Sequence, residues 1–223
     1  MITAMNCSIG RASYCVGLDE APTSQVELWW PFTHPDPTDE EIRGVVAELQ
    51  RRNKKLIALN MFGGDLAAGD RGILHERDMP AAHLDAIEAF HGLTGVRRFN
   101  LLVGRGGTEL TADQERRFAA VARDVDKRFG GVAMVEPLSA APDYPVTTVE
   151  QAAPLREHGG LLLDLYHLAV NDAVVLDATA EHVQIADNPG RGAPGTGTLP
   201  LQEWVDTLRE QGYEGEITAE WLP

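Results

Sequence analysis

Four segments in the second half of the chain each end on a side chain able to ligate a cation or move a proton. In GVAMVEP, Val132, Met134 and Glu136 share one face of an extended run, so a carboxylate stands last above Met134. LLLDLYH sets Leu162 below Asp164, HVQIAD sets Gln184 two residues beyond His182, and EITAEW puts Glu216, Thr218 and Glu220 on one face. A period of two makes these assignments, and a slip of one residue would reverse them. With the runs side by side, Glu136, Asp164, Gln184 and Glu220 converge at one mouth. Three carboxylates that close repel one another and are pushed towards the neutral form. A divalent cation removes the repulsion. An oxygen-only set with one neutral amide suits Mg²⁺ or Mn²⁺ better than zinc, which prefers His and Cys. The competing arrangement is a structural Arg–carboxylate network.

What must position these groups is a repeating alternation of short apolar runs and amphipathic stretches. Strands are predicted at Ala4–Ile9, Val26–Trp30, Leu56–Met61, Arg98–Val103, Val132–Leu138, Leu161–Tyr166, His182–Ala186 and Glu216–Trp221. The clearest helices are Asp39–Arg52, Ala112–Arg128, Val149–His158 and Leu201–Gln211. Thr111 with Gln114 reads as a capping box, while Thr148 and Gly159–Gly160 punctuate the third of these helices. Eight strands interleaved with helices predict a parallel sheet that closes, an α/β (β/α)₈ TIM barrel forming one domain over residues 1–223. In such a barrel the active site lies at the C-terminal strand ends, where the four groups fall. Two features fit badly. Gly10–Gln25 is a poor first helix, with Gly17, Pro22 and no clear period, and no helix is expected after strand eight. The helices after strands three and six also look short. The expectation is a trimmed barrel whose uncovered seam serves as a homo-oligomer contact.

Composition narrows the partners. Nineteen Lys and Arg against 34 Asp and Glu give a net charge of −15, which repels phosphate backbones and excludes nucleic acid. No run reaches the ~18 apolar residues of a membrane span, and the N-terminus does not read as a signal peptide. Cys7 and Cys15 fit neither a CxxC pair nor a zinc knuckle, so free thiols in a cytoplasmic protein are expected. The glycines of PGTG and GRGG lack the phosphate-loop pattern. A small-molecule substrate remains.

The segments VELWWPF (26–32), GGDLAAGDRG (63–72), NLLVG (100–104), VEPLS (135–139), LDLYH (163–167), HVQIADNPGR (182–191), PGTG (194–197) and GYEGEITAEW (212–221) resemble, in order, the hydroxypyruvate isomerase family of the xylose-isomerase-like barrels. The resemblance implies that Glu136, Asp164, Gln184 and Glu220 bind the metal and that the two glutamates are the acid/base pair. It implies an aldehyde–ketone isomerase working through an enediolate, with hydroxypyruvate to tartronate semialdehyde as the type reaction. Isomerisation or epimerisation of another small 2-oxo acid or ketose is the alternative, and a degenerate, non-catalytic barrel is a further one. Related barrels set a histidine equivalent to His167 against a substrate oxygen, and related epimerases place an arginine near Arg191. Arg191 or Arg71 would clamp a substrate carboxylate, or else pair on the surface with Asp187 or Asp70. Asn60 ends strand three and is expected either to hydrogen-bond substrate or to cap a loop. Of Trp29 and Trp30, at most one lines the pocket. The chain departs from the family at Gly192 and Ala193, where a His and an acid are common.

Overall fold

Eight short parallel strands pair in chain order and close on themselves. The structure, a computed structural model, describes residues 2–223. The strands are β1 (Ala4–Asn6), β2 (Gln25–Leu28), β3 (Lys55–Asn60), β4 (Arg98–Asn100), β5 (Val132–Val135), β6 (Gly160–Asp164), β7 (His182–Ile185) and β8 (Ile217–Ala219). Between them run α1 (Tyr14–Glu20), α2 (Asp39–Arg51), α3 (Ala81–Thr94), α4 (Ala112–Phe129), α5 (Val149–Arg156), α6 (Leu165–Val170) and α7 (Leu201–Glu210). Each strand stops a little before its apolar run does, because the residues beyond the ladder already turn into the loops of the mouth.

Register sets the heights. Asp164 pairs with Gln184 and Gln184 with Thr218, while Met134 sits beside Asn100 and Gly160. Apolar side chains such as Val26, Phe99, Val135, Leu163, Val183 and Ile217 point outward into the layer between sheet and helices. The alternate positions point inward, and many are polar. Asn6, Glu27, Asn100, Asp164, His182, Gln184 and Thr218 are all buried there. An Arg98–Glu216 ion pair at 2.7 Å lies low in the barrel.

Polar caps set the helix starts where the sequence marks them. Thr111 and Gln114 cap α4 reciprocally, as do Thr148 and Gln151 at α5 and Thr38 and Glu41 at α2. Two expectations fail. The segment after β1 does form a helix, α1, started by Ser13, which accepts from the Val16 N–H. Its awkward Gly17 is what lets it dock: a Cβ there would lie 2.0 Å from the Cys7 carbonyl oxygen. The helix after β3 is not short. α3 runs from Ala81 to Thr94 and buries His83, Leu84, Ala86, Ile87 and Phe90. Its apolar and small residues spread around the helix, so little amphipathic contrast marks it, and Pro80 gives its start no side-chain cap. α6 is short, and no helix follows β8. Residues 220–223 fold over the β1–α1 turn, where Arg11 stacks on Trp221 at 5.2 Å. Among the described residues, no helix is long and apolar enough to cross a membrane.

Candidate active site

The site is built from what closes each strand. Glu136 directly follows β5. Asn100 Nδ2, at the end of β4, donates to its Oε2 at 2.6 Å, while its Oε1 faces His167 Nε2 at 3.8 Å. Asp164 ends β6 and caps α6: Oδ1 accepts from the Tyr166 and His167 N–H groups at 2.9 and 3.4 Å. Glu220 follows β8, and its Oε1 accepts from Trp29 Nε1 at 2.8 Å and Asn6 Nδ2 at 2.9 Å. Gln184, on β7, donates Nε2 to Glu27 and keeps a buried Oε1 without a partner. All four are buried, and so is the companion His167.

Crowding shows in the electrostatics. Burial is the main cause that lifts Glu136 well above the ordinary carboxylate range, and the Glu220 and Asp164 charges add to it. At Glu220 burial outweighs the neighbouring Arg191, and the pKa is pushed up to about 8. One ligand atom each from Glu136, Asp164 and His167 lies within 4.8 Å of the others. Three crowded carboxylates and a buried amide oxygen lacking a donor fit a hard divalent cation. These residues could hold one, with His167 Nε2 as a neighbouring nitrogen.

Arg191 answers the competing expectation directly. It does not pair with Asp187. Instead Nη2 donates to Asp164 Oδ2 at 2.7 Å and to Glu220 Oε2, and Nε donates to the Glu220 carbonyl at 3.1 Å. The guanidinium also lies over Tyr166, 5.2 Å from the ring centre. Burial disfavours its charge, but Glu220, Asp164 and Glu136 more than compensate and hold it protonated. Asp187 organises the loop that aims it. Its carboxylate accepts from the N–H groups of Asn188, Gly195 and Leu199 at 2.9–3.0 Å. Burial opposes the Asp187 charge, and these backbone donors outweigh it, so the pKa lies below the ordinary value.

His167 Nε2 lies 2.8 Å from Arg191 Nη1, while Nδ1 accepts from the Ser139 N–H at 3.1 Å and lies 2.7 Å from Ser139 Oγ. Burial is the main cause that lowers its pKa to about 4, against the pull of Asp164. The imidazole is therefore neutral, held between Ser139 and Arg191 at the edge of the mouth.

A cavity of about 500 Å³ opens over these groups. Trp29, Asn60, Arg71, Glu136, His167 and Arg191 line it, and Ile9, Leu66, Leu138 and Val170 contribute an apolar rim. Arg71 Nη1 donates to the carbonyls of Asp70 (2.6 Å) and Leu66 (3.3 Å) rather than to a carboxylate. Trp29 faces the cavity, whereas Trp30 turns outward and packs edge-on against His83 and Phe90. His182 is a core residue, with Nε2 2.6 Å from Glu27 Oε2 and Nδ1 buried without a partner. A second cavity, lined by Lys55, Arg97, Arg98, Glu181 and Glu216, lies at the opposite end of the barrel, away from the carboxylates. Sequence reasoning overlooked Asn6, Glu27, Asn100 and Ser139. A signal was present for three of them. Asn6, Asn60 and Asn100 each close a strand, and Glu27 is the inward position between Val26 and Leu28.

Comparison with known proteins places this geometry. The family model described as xylose isomerase-like TIM barrel matches residues 20–223. A putative hydroxypyruvate isomerase of Streptomyces coelicolor is 36% identical over 225 residues, covering 89% of this chain and 80% of that protein. The hydroxypyruvate isomerase of Escherichia coli is 27% identical, covering 89% of this chain and 82% of its own. Among solved structures, one described as an AP endonuclease, family 2, from Brucella melitensis superposes with a TM-score of 0.82 at 23% identity. It covers 100% of this chain and 94% of its own, a likeness of fold.

Proposed function

The chain belongs to the xylose isomerase-like TIM barrel family and is an isomerase. On that premise we propose that it interconverts aldehyde and ketone forms of a small hydroxy-carbonyl acid, with hydroxypyruvate to tartronate semialdehyde as the type reaction. The observation that carries this reading is the cluster of Glu136, Asp164 and Glu220, buried together beside an amide oxygen of Gln184 that has no donor. Those four side chains would hold one divalent cation, Mg²⁺ or Mn²⁺, whose chemistry when bound is to stabilise negative charge developing on the substrate oxygens.

The chain's own groups supply the proton transfers. Isomerisation moves a proton from the hydroxymethyl carbon to the neighbouring carbon through an enediolate. Glu136 has an oxygen not committed to Asn100 and serves at one of the two carbons, with Glu220 across the mouth serving at the other. His167 lines the cavity beside the position of a substrate hydroxyl. Arg71, with no carboxylate partner, is placed to receive the substrate carboxylate, and Asn60 lies beside the same cavity. Arg191 is a second cation for that carboxylate.

A cavity of about 500 Å³ exceeds what a three-carbon acid fills, and that favours one further reading. The same four residues would isomerise or epimerise a longer 2-oxo acid or ketose.

The test is deuterium incorporation at the hydroxymethyl carbon of hydroxypyruvate in D₂O, followed by NMR with Mg²⁺ or with EDTA. Metal-dependent exchange above the enzyme-free rate is expected. Exchange that is equally fast in EDTA would overturn the metal-assisted mechanism, and no exchange at all would remove hydroxypyruvate as substrate.

A further inference from the structure

Glu27 sits in the middle of β2, fully buried, and takes no part in the chemistry above. Three N–H donors converge on its carboxylate. Asn6 Nδ2, at 2.7 Å, and Gln184 Nε2 meet Oε1, while His182 Nε2 lies 2.6 Å from Oε2. A carboxylate accepts only, so it decides which end of the Gln184 amide turns towards it. The NH₂ group faces Glu27, and the carbonyl oxygen is left buried and without a donor. An amide is nearly the same shape after a 180° turn, so packing alone would not choose between the two orientations. Only the one observed offers a cation a lone pair.

The neighbours hold Glu27 in place. Asn6 Nδ2 also donates to Glu220 Oε1 at 2.9 Å, and its Oδ1 accepts from the Ser8 and Ile9 N–H groups at 2.9 and 3.2 Å. His182 braces the carboxylate from β7, with Thr218 Oγ1 3.2 Å from the same ring nitrogen.

We infer that Glu27 is a positioning residue that fixes the orientation of Gln184, so that the amide presents its oxygen, not its NH₂, to a divalent cation. The inference rests on the metal-dependent reading above. Glu27→Gln replaces two acceptors with one acceptor and one donor facing three donors, so one contact must reverse. His182 can reverse only by burying an Nδ1–H that has no partner, and Gln184 can reverse by turning over.

The experiment is a Mn²⁺ titration, read by the electron paramagnetic resonance of free Mn²⁺, on wild type, Glu27→Gln, Gln184→Ala and the double variant. Thermal melting of each checks folding. Glu27→Gln is expected to weaken Mn²⁺ binding about 10- to 100-fold, the range for a residue that orients a ligand. In the Gln184→Ala background the same change is expected to have no further effect. Wild-type affinity in Glu27→Gln overturns the inference, as does an equal loss in both backgrounds. Wild type that binds no Mn²⁺ overturns the metal reading and this inference together, a result distinct from tight wild-type binding with an indifferent variant. If Glu27→Gln does not fold, Glu27→Asp is read in the same way, because withdrawing the carboxylate by one methylene takes it out of reach of Gln184.

Discussion

Arg191 Nη2 donates to Asp164 Oδ2 across 2.7 Å, and the same nitrogen also reaches Glu220. A single guanidinium charge is thus shared between two of the three crowded carboxylates from within the mouth. That position makes it a rival of any divalent cation for the same oxygens.

Replacing Arg191 by Met keeps the bulk and removes the charge. In EDTA the variant is expected to lose about 3 kcal/mol, as when one partner leaves a buried ion pair. With saturating Mn²⁺ the loss is expected to shrink, since the cation replaces the missing charge. Paired thermal melts measure both, and an identical loss with and without Mn²⁺ would show that Arg191 has no counter-cation role.

Glu136→Gln keeps an oxygen at the end of β5 but cannot take a proton. Deuterium exchange at the substrate carbon is expected to fall about 10²- to 10⁴-fold, the contribution of a positioned general base. Unchanged exchange would hand the proton transfer to another group.

Arg71 has only carbonyl partners, so its charge is available to a substrate. Arg71→Ala should raise KM for carboxylate substrates about tenfold, the loss of one charge-assisted hydrogen bond, and leave an uncharged ketose unaffected. Steady-state kinetics on one acid and one ketose decide the point. Equal effects on both would place Arg71 outside substrate recognition.

Stability should be bounded on both sides of pH. Glu136 and Glu220 titrate above their ordinary 4.5, so in the metal-free chain their stabilising effect is full below about pH 4.5 and is lost as pH rises through their folded values, about 8 for Glu220. Burial lowers His83 and His167 to about 4, from an ordinary 6.5. Their contribution is full above about pH 6.5 and is lost as pH falls through about 4. Urea midpoints in EDTA should peak between the two limbs, and Mn²⁺ should flatten the alkaline limb by holding the carboxylates ionised. An alkaline limb that Mn²⁺ leaves untouched would place the titrating groups elsewhere.

Much of this was legible in the residues, and what was missed has a physical reason. Glu136, Asp164, Gln184 and Glu220 do meet at one mouth, because a strict period of two on four adjacent parallel strands leaves few other arrangements. The capping boxes at Thr111 and Thr148 gave α4 and α5 to within two residues. α3 was underread because its buried face is only weakly set off from the rest of the helix. α1 was undervalued because Gly17, a poor helix former, is there for the close approach to Cys7. Glu27 and Asn6 escaped because their importance lies in what they hold, and a hydrogen bond between β2 and β7 leaves no trace in local sequence. Arg191 was expected at the substrate. That it bridges Asp164 and Glu220 depends on a loop whose course is set by Asp187 and its backbone donors.

Asp164 divides its two oxygens between different tasks, one binding the first amides of α6 and the other turned to the mouth. The helix start and the site therefore share a single rigid joint, and whatever immobilises one end immobilises the other. α6 is a helix of only six residues, so its first turn depends on that joint. The Tyr166 and His167 amides would trade hydrogen with solvent more slowly whenever Oδ2 is engaged, so the backbone of a short helix reports on a ligand it never touches.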